Sequence, residues 1–95
     1  MLDVHPEAAA ELEASLAWYL ERSPSAASAF LAAVRSVFAA IEKGPERWPR
    51  DAEGFRGAPV KKFPFVVHYR ETVTGVRVVA VAHTSRDPNY WRGRA

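Results

Sequence analysis

The side chains with most to offer chemically gather near the end of the chain, where His83, Arg86, Tyr90 and Trp91 fall within nine positions. An imidazole and a phenol can move protons and a guanidinium can neutralise an oxyanion, so His83, Arg86 and Tyr90 form the candidate catalytic set. Each also has a plainer role open to it. His83 can be a strand-end residue bonded to backbone, and Tyr90 with Trp91 can anchor a C-terminal tail instead of stacking on bases or on a partner surface. Upstream, Arg56, Lys61, Lys62 and Arg70 supply cations suited to nucleic acid or to an acidic protein partner, the alternative being a solvated basic surface. The three histidines, His5, His68 and His83, stand on separate elements without the carboxylate or thiol spacing of a ligand set, so no metal and no cofactor is expected. There is no phosphate-cradling glycine loop, no Ser-His-Asp set and no paired-carboxylate site.

Those side chains need a scaffold. Leu2-Asp3-Val4 alternates as a short first strand, and Pro6 suits the first position of a helix. Ala9, Leu12, Leu16, Tyr19 and Leu20 recur at helical spacing and define its apolar face. Trp18 and Tyr19 are adjacent and cannot both face that core, which leaves one for a dimer or partner contact, or half exposed. Ser23 can cap a second helix starting at Pro24, with Ala27, Phe30, Leu31, Val34, Phe38 and Ile41 as its buried stripe and a left-handed Gly44 before Pro45 as its end. Helices of about 17 and 19 residues joined by so short a link run antiparallel.

Residues 45–56 read as a loop pinned by Trp48. Strand patterns follow over Ala58 to Lys62, Phe63 to Arg70 and Val76 to His83, a β-meander whose last turn is Glu71 to Gly75. With Arg70 opposite Val76, Phe63, Phe65, Val67, Tyr69, Val79, Val81 and His83 share one sheet face. Val66, His68, Arg70, Val78, Ala80 and Ala82 share the other. The bulkier face meets the helices, and the smaller side chains form a shallow concave surface. The expected fold is a single α+β domain over residues 1–95 in the order β-α-α-β-β-β, an N-terminal helical hairpin packed on an antiparallel sheet.

A 95-residue chain that is 48% hydrophobic and 25% charged can bury one core and is not disordered by composition. It has no cysteine, which excludes disulfides and thiolate metal sites and suits a reducing compartment. No run of 18 or more apolar residues and no leader-like start is present, so the expectation is a cytoplasmic protein without a membrane role. The net charge of +2 is unevenly spread: residues 1–53 hold five Lys/Arg against nine Asp/Glu, and residues 54–95 hold eight against two. The positive field belongs to the half that carries the candidate site.

Trp18-Tyr19 late in the first helix, Pro45 after the second, the strand Phe63-Pro64-Phe65-Val66-Val67-His68-Tyr69-Arg70 and the ending His83-Thr84-Ser85-Arg86-Asp87-Pro88-Asn89-Tyr90-Trp91-Arg92 together resemble the RelE/ParE superfamily, plasmid-stabilisation toxins of bacterial toxin–antitoxin pairs. The resemblance runs nearly end to end. It implies a growth-inhibiting toxin neutralised by a cognate antitoxin, with a homodimer within that complex as one assembly. It also implies one of two targets: messenger RNA on the ribosome, cut by the RelE-type members, or DNA gyrase, poisoned by the ParE-type members. RNA cleavage through the 2′-hydroxyl needs a base, an acid and cations for the phosphate. Tyr90 falls where the ribonuclease branch carries a C-terminal tyrosine, but Val66 and Thr84 stand where that branch has arginines. The resemblance therefore favours ParE-like action on gyrase, with RelE-like cleavage or a degenerate non-toxic binding protein as alternatives. An antitoxin segment wrapping the hairpin would be acidic where it meets Arg56, Lys61 and Arg70.

Overall fold

The computed structural model describes residues 1–94. Strand β1 (Leu2–Val4) leads into helix α1 (Pro6–Arg22), helix α2 (Pro24–Lys43), a single 3₁₀ turn (Pro45–Arg47), and strands β2 (Phe55–Pro59), β3 (Phe65–Thr72) and β4 (Gly75–His83). Both helices start on a capping side chain followed by proline. His5 Nδ1 accepts from Glu7 N–H at 3.0 Å, and Ser23 Oγ accepts from Ala26 N–H at 3.2 Å. Ser23 also ends α1, its N–H reaching Tyr19 O, so one residue serves both helices and the link between them is minimal. Gly44 closes α2 at φ −150°, not in the left-handed region expected for it. The proline that follows disfavours helical backbone at the preceding position, so Pro45 is enough to stop the helix.

The sheet runs β1-β4-β3-β2. Pairs β2–β3 and β3–β4 are antiparallel, as expected, but β1 lies parallel to β4, so the sheet is mixed. Helices α1 and α2 carry the chain from β1 to the opposite edge of the sheet, where β2 pairs with β3, and the meander then brings β4 back beside β1. Strand β2 begins three residues earlier than its pattern suggests and stops at Pro59. A tight turn then takes Val60 to Phe63, with Lys62 at φ 70°, and leaves Phe63 outside β3. A bulge at His68/Tyr69 puts Tyr69 opposite Val78 and His68 opposite Ala80, and Arg70 faces Arg77 instead of Val76. The extra residue moves Val78 to the helix side and Val79 to the outer side, the reverse of the simple alternation.

Two cores result. Between helices and sheet lie Ala8, Phe30, Val34, Val37 and Ile41 against Val67, Tyr69, Val76, Val78 and Val81. Tyr19, Phe30, Phe63 and Phe65 form an aromatic knot at one end, with Tyr19–Phe30 centroids 4.9 Å apart and Phe30–Phe65 5.0 Å apart. By length and composition α2 could cross a membrane, but here its Phe30-Val34-Val37-Ile41 stripe belongs to this core. Leu31 and Phe38, expected in the stripe, are only partly covered, and Leu20 on α1 is 56% exposed. The second core is on the outer sheet face, where Val79, Ala80 and Ala82 are covered by Trp91. The face of small side chains expected to form a shallow concave surface is thus covered by the chain's own tail.

Candidate functional site

The tail is fastened at three points. Trp91, 1% exposed, stacks on His68 with centroids 4.2 Å apart and meets Phe55 edge-on at 4.9 Å. Arg92 forks onto Asp51 and Glu53 at 2.8 and 2.6 Å, and hydrogen-bonded Arg92 is the leading cause holding the Asp51 carboxyl below its usual range. Glu11 of α1 closes the end. Its carboxylate accepts from Tyr90 OH at 2.6 Å, from Arg94 at 3.0 Å and from Val81 N–H at 3.0 Å, tying helix, sheet and tail together. Arg94 also donates to Val79 O at 3.0 Å. Burial first, then the Glu11 hydrogen bond and charge, push the Tyr90 phenol up to about 12.

Each of the three candidate catalytic residues has a partner within the fold. Tyr90 is a protonated donor to Glu11 at neutral pH, and the Arg86 guanidinium lies over its ring at 4.1 Å. His83 is exposed at the end of β4. Its Nδ1 accepts from Ser85 N–H at 3.0 Å and lies 2.7 Å from the Ser85 hydroxyl, which leaves the proton of the neutral ring on Nε2 and makes the free edge a donor, not a base. Of the two roles open to Trp91, a stacking surface for bases or a partner and an anchor for the tail, its position on the inner face of the tail fits the anchor.

The basic residues divide in two. Arg56 is an internal brace: Nε and Nη2 donate to Glu71 at 3.0 and 2.8 Å while Nη1 donates to Trp48 O, so the cation is neutralised and nearly covered. Arg77 pairs with Asp3. Lys61 and Lys62 are exposed on the β2–β3 turn, and with Arg70 and Arg86 they have no carboxylate partner among the described residues. The lysines border a groove along α2 floored by Ala29, Ala33 and Val37. Beside Tyr19 of the same aromatic cluster, Trp18 is 50% exposed at an apolar cleft of about 520 Å³, lined by Ala14, Tyr19, Pro64, Phe65 and His83. Arg22 caps that indole at 3.8 Å.

A family model described as the ParE toxin of the type II toxin–antitoxin system, parDE, matches residues 2–88. The chain belongs to the ParE toxin family. No curated protein matches it. The two-helix hairpin followed by the strand meander agrees with an α+β RelE/ParE-like fold, and membership of a toxin–antitoxin family implies an antitoxin partner. In this ParE-family chain the match stops at residue 88, before Tyr90, Trp91, Arg92 and Arg94, which do the fastening.

Sequence reasoning missed Glu11, Arg92, Arg94 and His68. A signal for Glu11 was present: it lies three residues after buried Ala8 and one before Leu12, on the margin of the apolar stripe, where a carboxylate has to find internal partners. Its partners, 79 and 83 positions away, carry no local signal.

Proposed function

We propose that this toxin acts by protein contact, in the ParE manner on DNA gyrase, and not by cutting RNA. The support is that both groups able to move a proton are already engaged, Tyr90 by Glu11 and His83 Nδ1 by Ser85. A ribonuclease of this kind needs a free base and clustered cations at the scissile phosphate, and of the cations Arg56 is tied up by Glu71. The antitoxin reading has separate support. The surface beside the hairpin offers an apolar cleft with a half-exposed tryptophan, and the exposed Lys61 and Lys62 offer an anchor for acidic side chains. An antitoxin segment crossing α1 and α2 would reach both.

The test uses purified full-length chain in a gyrase supercoiling assay, alone and with antitoxin. Inhibition at stoichiometric toxin that the antitoxin reverses is expected. Unchanged supercoiling at stoichiometric excess overturns the gyrase reading, and transcript cleavage in a translating extract would replace it with the ribonuclease one.

A further inference from the structure

The cleft beside Trp18 is walled by three parts of the chain: Ala14, Trp18 and Tyr19 of α1, Pro64 and Phe65 where β3 begins, and His83 where β4 ends. At about 520 Å³ it falls within the range of pockets that take small organic groups, roughly 300–1,000 Å³. Its walls are held from behind. Tyr19 and Phe65 belong to the aromatic knot, Trp18 meets Tyr19 edge-on at 5.1 Å, and His83 meets Phe65 edge-on at 5.1 Å. Filling such a socket orders little that is not ordered already, which is what lets one side chain contribute strongly to binding. Two polar groups border it. His83 is exposed, and with its Nδ1 held by Ser85 its remaining ring nitrogen is a donor. The Arg22 guanidinium lies over the Trp18 ring at 3.8 Å and has no carboxylate partner among the described residues. Among the described residues, no carboxylate lines the cleft.

We propose that this cleft receives one bulky apolar side chain of the antitoxin, and that His83 donates its Nε2–H to a backbone carbonyl of the same segment. The inference rests on the antitoxin reading above and adds what the segment has to carry: an aliphatic or aromatic anchor flanked by acidic residues. The chemistry of the walls selects the anchor. Apolar rings exclude a charged or strongly hydrated group, which would lose its water without gaining a partner. A lone neutral donor beside an apolar socket suits main chain, because every residue carries a carbonyl acceptor. Arg22 sets the charge of the surroundings: it favours an acidic segment over a second copy of this chain, which would bring the same cation to the contact. His83 then serves recognition, not proton transfer. The inference stands whether or not gyrase is the target.

The experiment measures dissociation of purified antitoxin from the full-length chain and its variants at high salt, where capture by surface charge is screened. Ala14→Phe fills the cleft from an exposed helix position and should speed dissociation by about tenfold or more. Trp18→Ala, which removes a wall instead, should do the same. His83→Phe keeps a ring without the donor and should speed dissociation by about fivefold, whereas His83→Gln, which returns an N–H near the Nε2 position, should come within about twofold of the natural chain. Thermal melts check that each variant is folded. No binding by the natural chain overturns the antitoxin reading and this inference with it. Tight binding by the natural chain, with dissociation unchanged in Ala14→Phe and Trp18→Ala, overturns this inference alone, as does a His83→Gln chain that releases the antitoxin as fast as His83→Phe. Self-association that Ala14→Phe abolishes while antitoxin dissociation stays unchanged assigns the cleft to a second copy and overturns it too.

Discussion

Tyr90 shows how far a residue's chemistry depends on what it touches. By type it is a proton-transfer candidate; in the fold its hydroxyl is a structural donor to Glu11. Tyr90→Phe removes that donor while Glu11 keeps Arg94 and the Val81 amide, so a stability loss of about 1 kcal/mol is expected with growth inhibition retained. Abolished toxicity at unchanged melting temperature would return Tyr90 to the catalytic set. His68 makes the complementary case for pH. Burial, then the nearby Arg92 charge, lowers its pKa from 6.5 to about 4, so the folded chain holds the ring neutral while the unfolded chain protonates it earlier. The unfolded state thus binds more protons across that window. The contribution of His68 is complete above about pH 6.5 and is lost as pH falls toward 4. Allowing for the ring's partial exposure, the loss is about 1–2 kcal/mol. Denaturant melts of the natural chain and His68→Phe, which keeps the stack on Trp91, should diverge below pH 6.5 in the direction that favours the variant; parallel curves would remove His68 as the cause.

At the scale of elements, the helices were the most legible part of the chain. Caps, prolines and apolar spacing are local signals, and Pro6, Ser23, Pro24 and Pro45 mark the ends seen in the structure. The sheet was legible in strand count and order but not in register, because the bulge between His68 and Tyr69 is a compromise between two faces that both have to be covered. The parallel pairing of β1 was hidden for another reason: a three-residue strand carries no sign of its partner. That pairing now explains Gly75. It sits at φ 144° at the start of β4, and a Cβ there would land inside the van der Waals shell of the Met1 backbone, whose carbonyl accepts from Val76 N–H at 2.9 Å. Gly75→Ala should therefore cost about 2 kcal/mol or more, through backbone strain and displacement of β1. A thermal melt checks it: a variant within a degree of the natural chain would mean that β1 contributes little. The tail is the element with least local signature. Glu11→Ala, which strands Arg94 and frees Tyr90, should destabilise by about 2–3 kcal/mol and red-shift the Trp91 fluorescence as the plug loosens.

For the whole molecule, the charge split along the chain is partly cancelled by folding. Arg77 meets Asp3, Arg92 meets Asp51 and Glu53, and Arg94 meets Glu11 with Glu7 at 3.9 Å, so acids of the first half are returned to cations of the second. Arg56 is satisfied within its own half by Glu71. The candidate binding residues named from sequence thus separate: Arg56 and Trp91 hold the fold, while Lys61, Lys62 and Arg70 are left to act outward. That division was illegible because residue type gives charge and not its partner. It changes where an acidic antitoxin segment should be steered, from the sheet at large to the lysine turn beside α2. Reversing both charges in Lys61→Glu/Lys62→Glu should slow antitoxin association at low salt by about tenfold or more and flatten its dependence on ionic strength, with dissociation little changed. Surface plasmon resonance over a salt series reads both quantities. The two lysines are exposed and have no carboxylate partner among the described residues, so a fall in melting temperature is not expected to confuse the result. If association is as fast as before, electrostatic capture occurs elsewhere, and the apolar cleft beside Trp18 becomes the surface that has to explain the affinity.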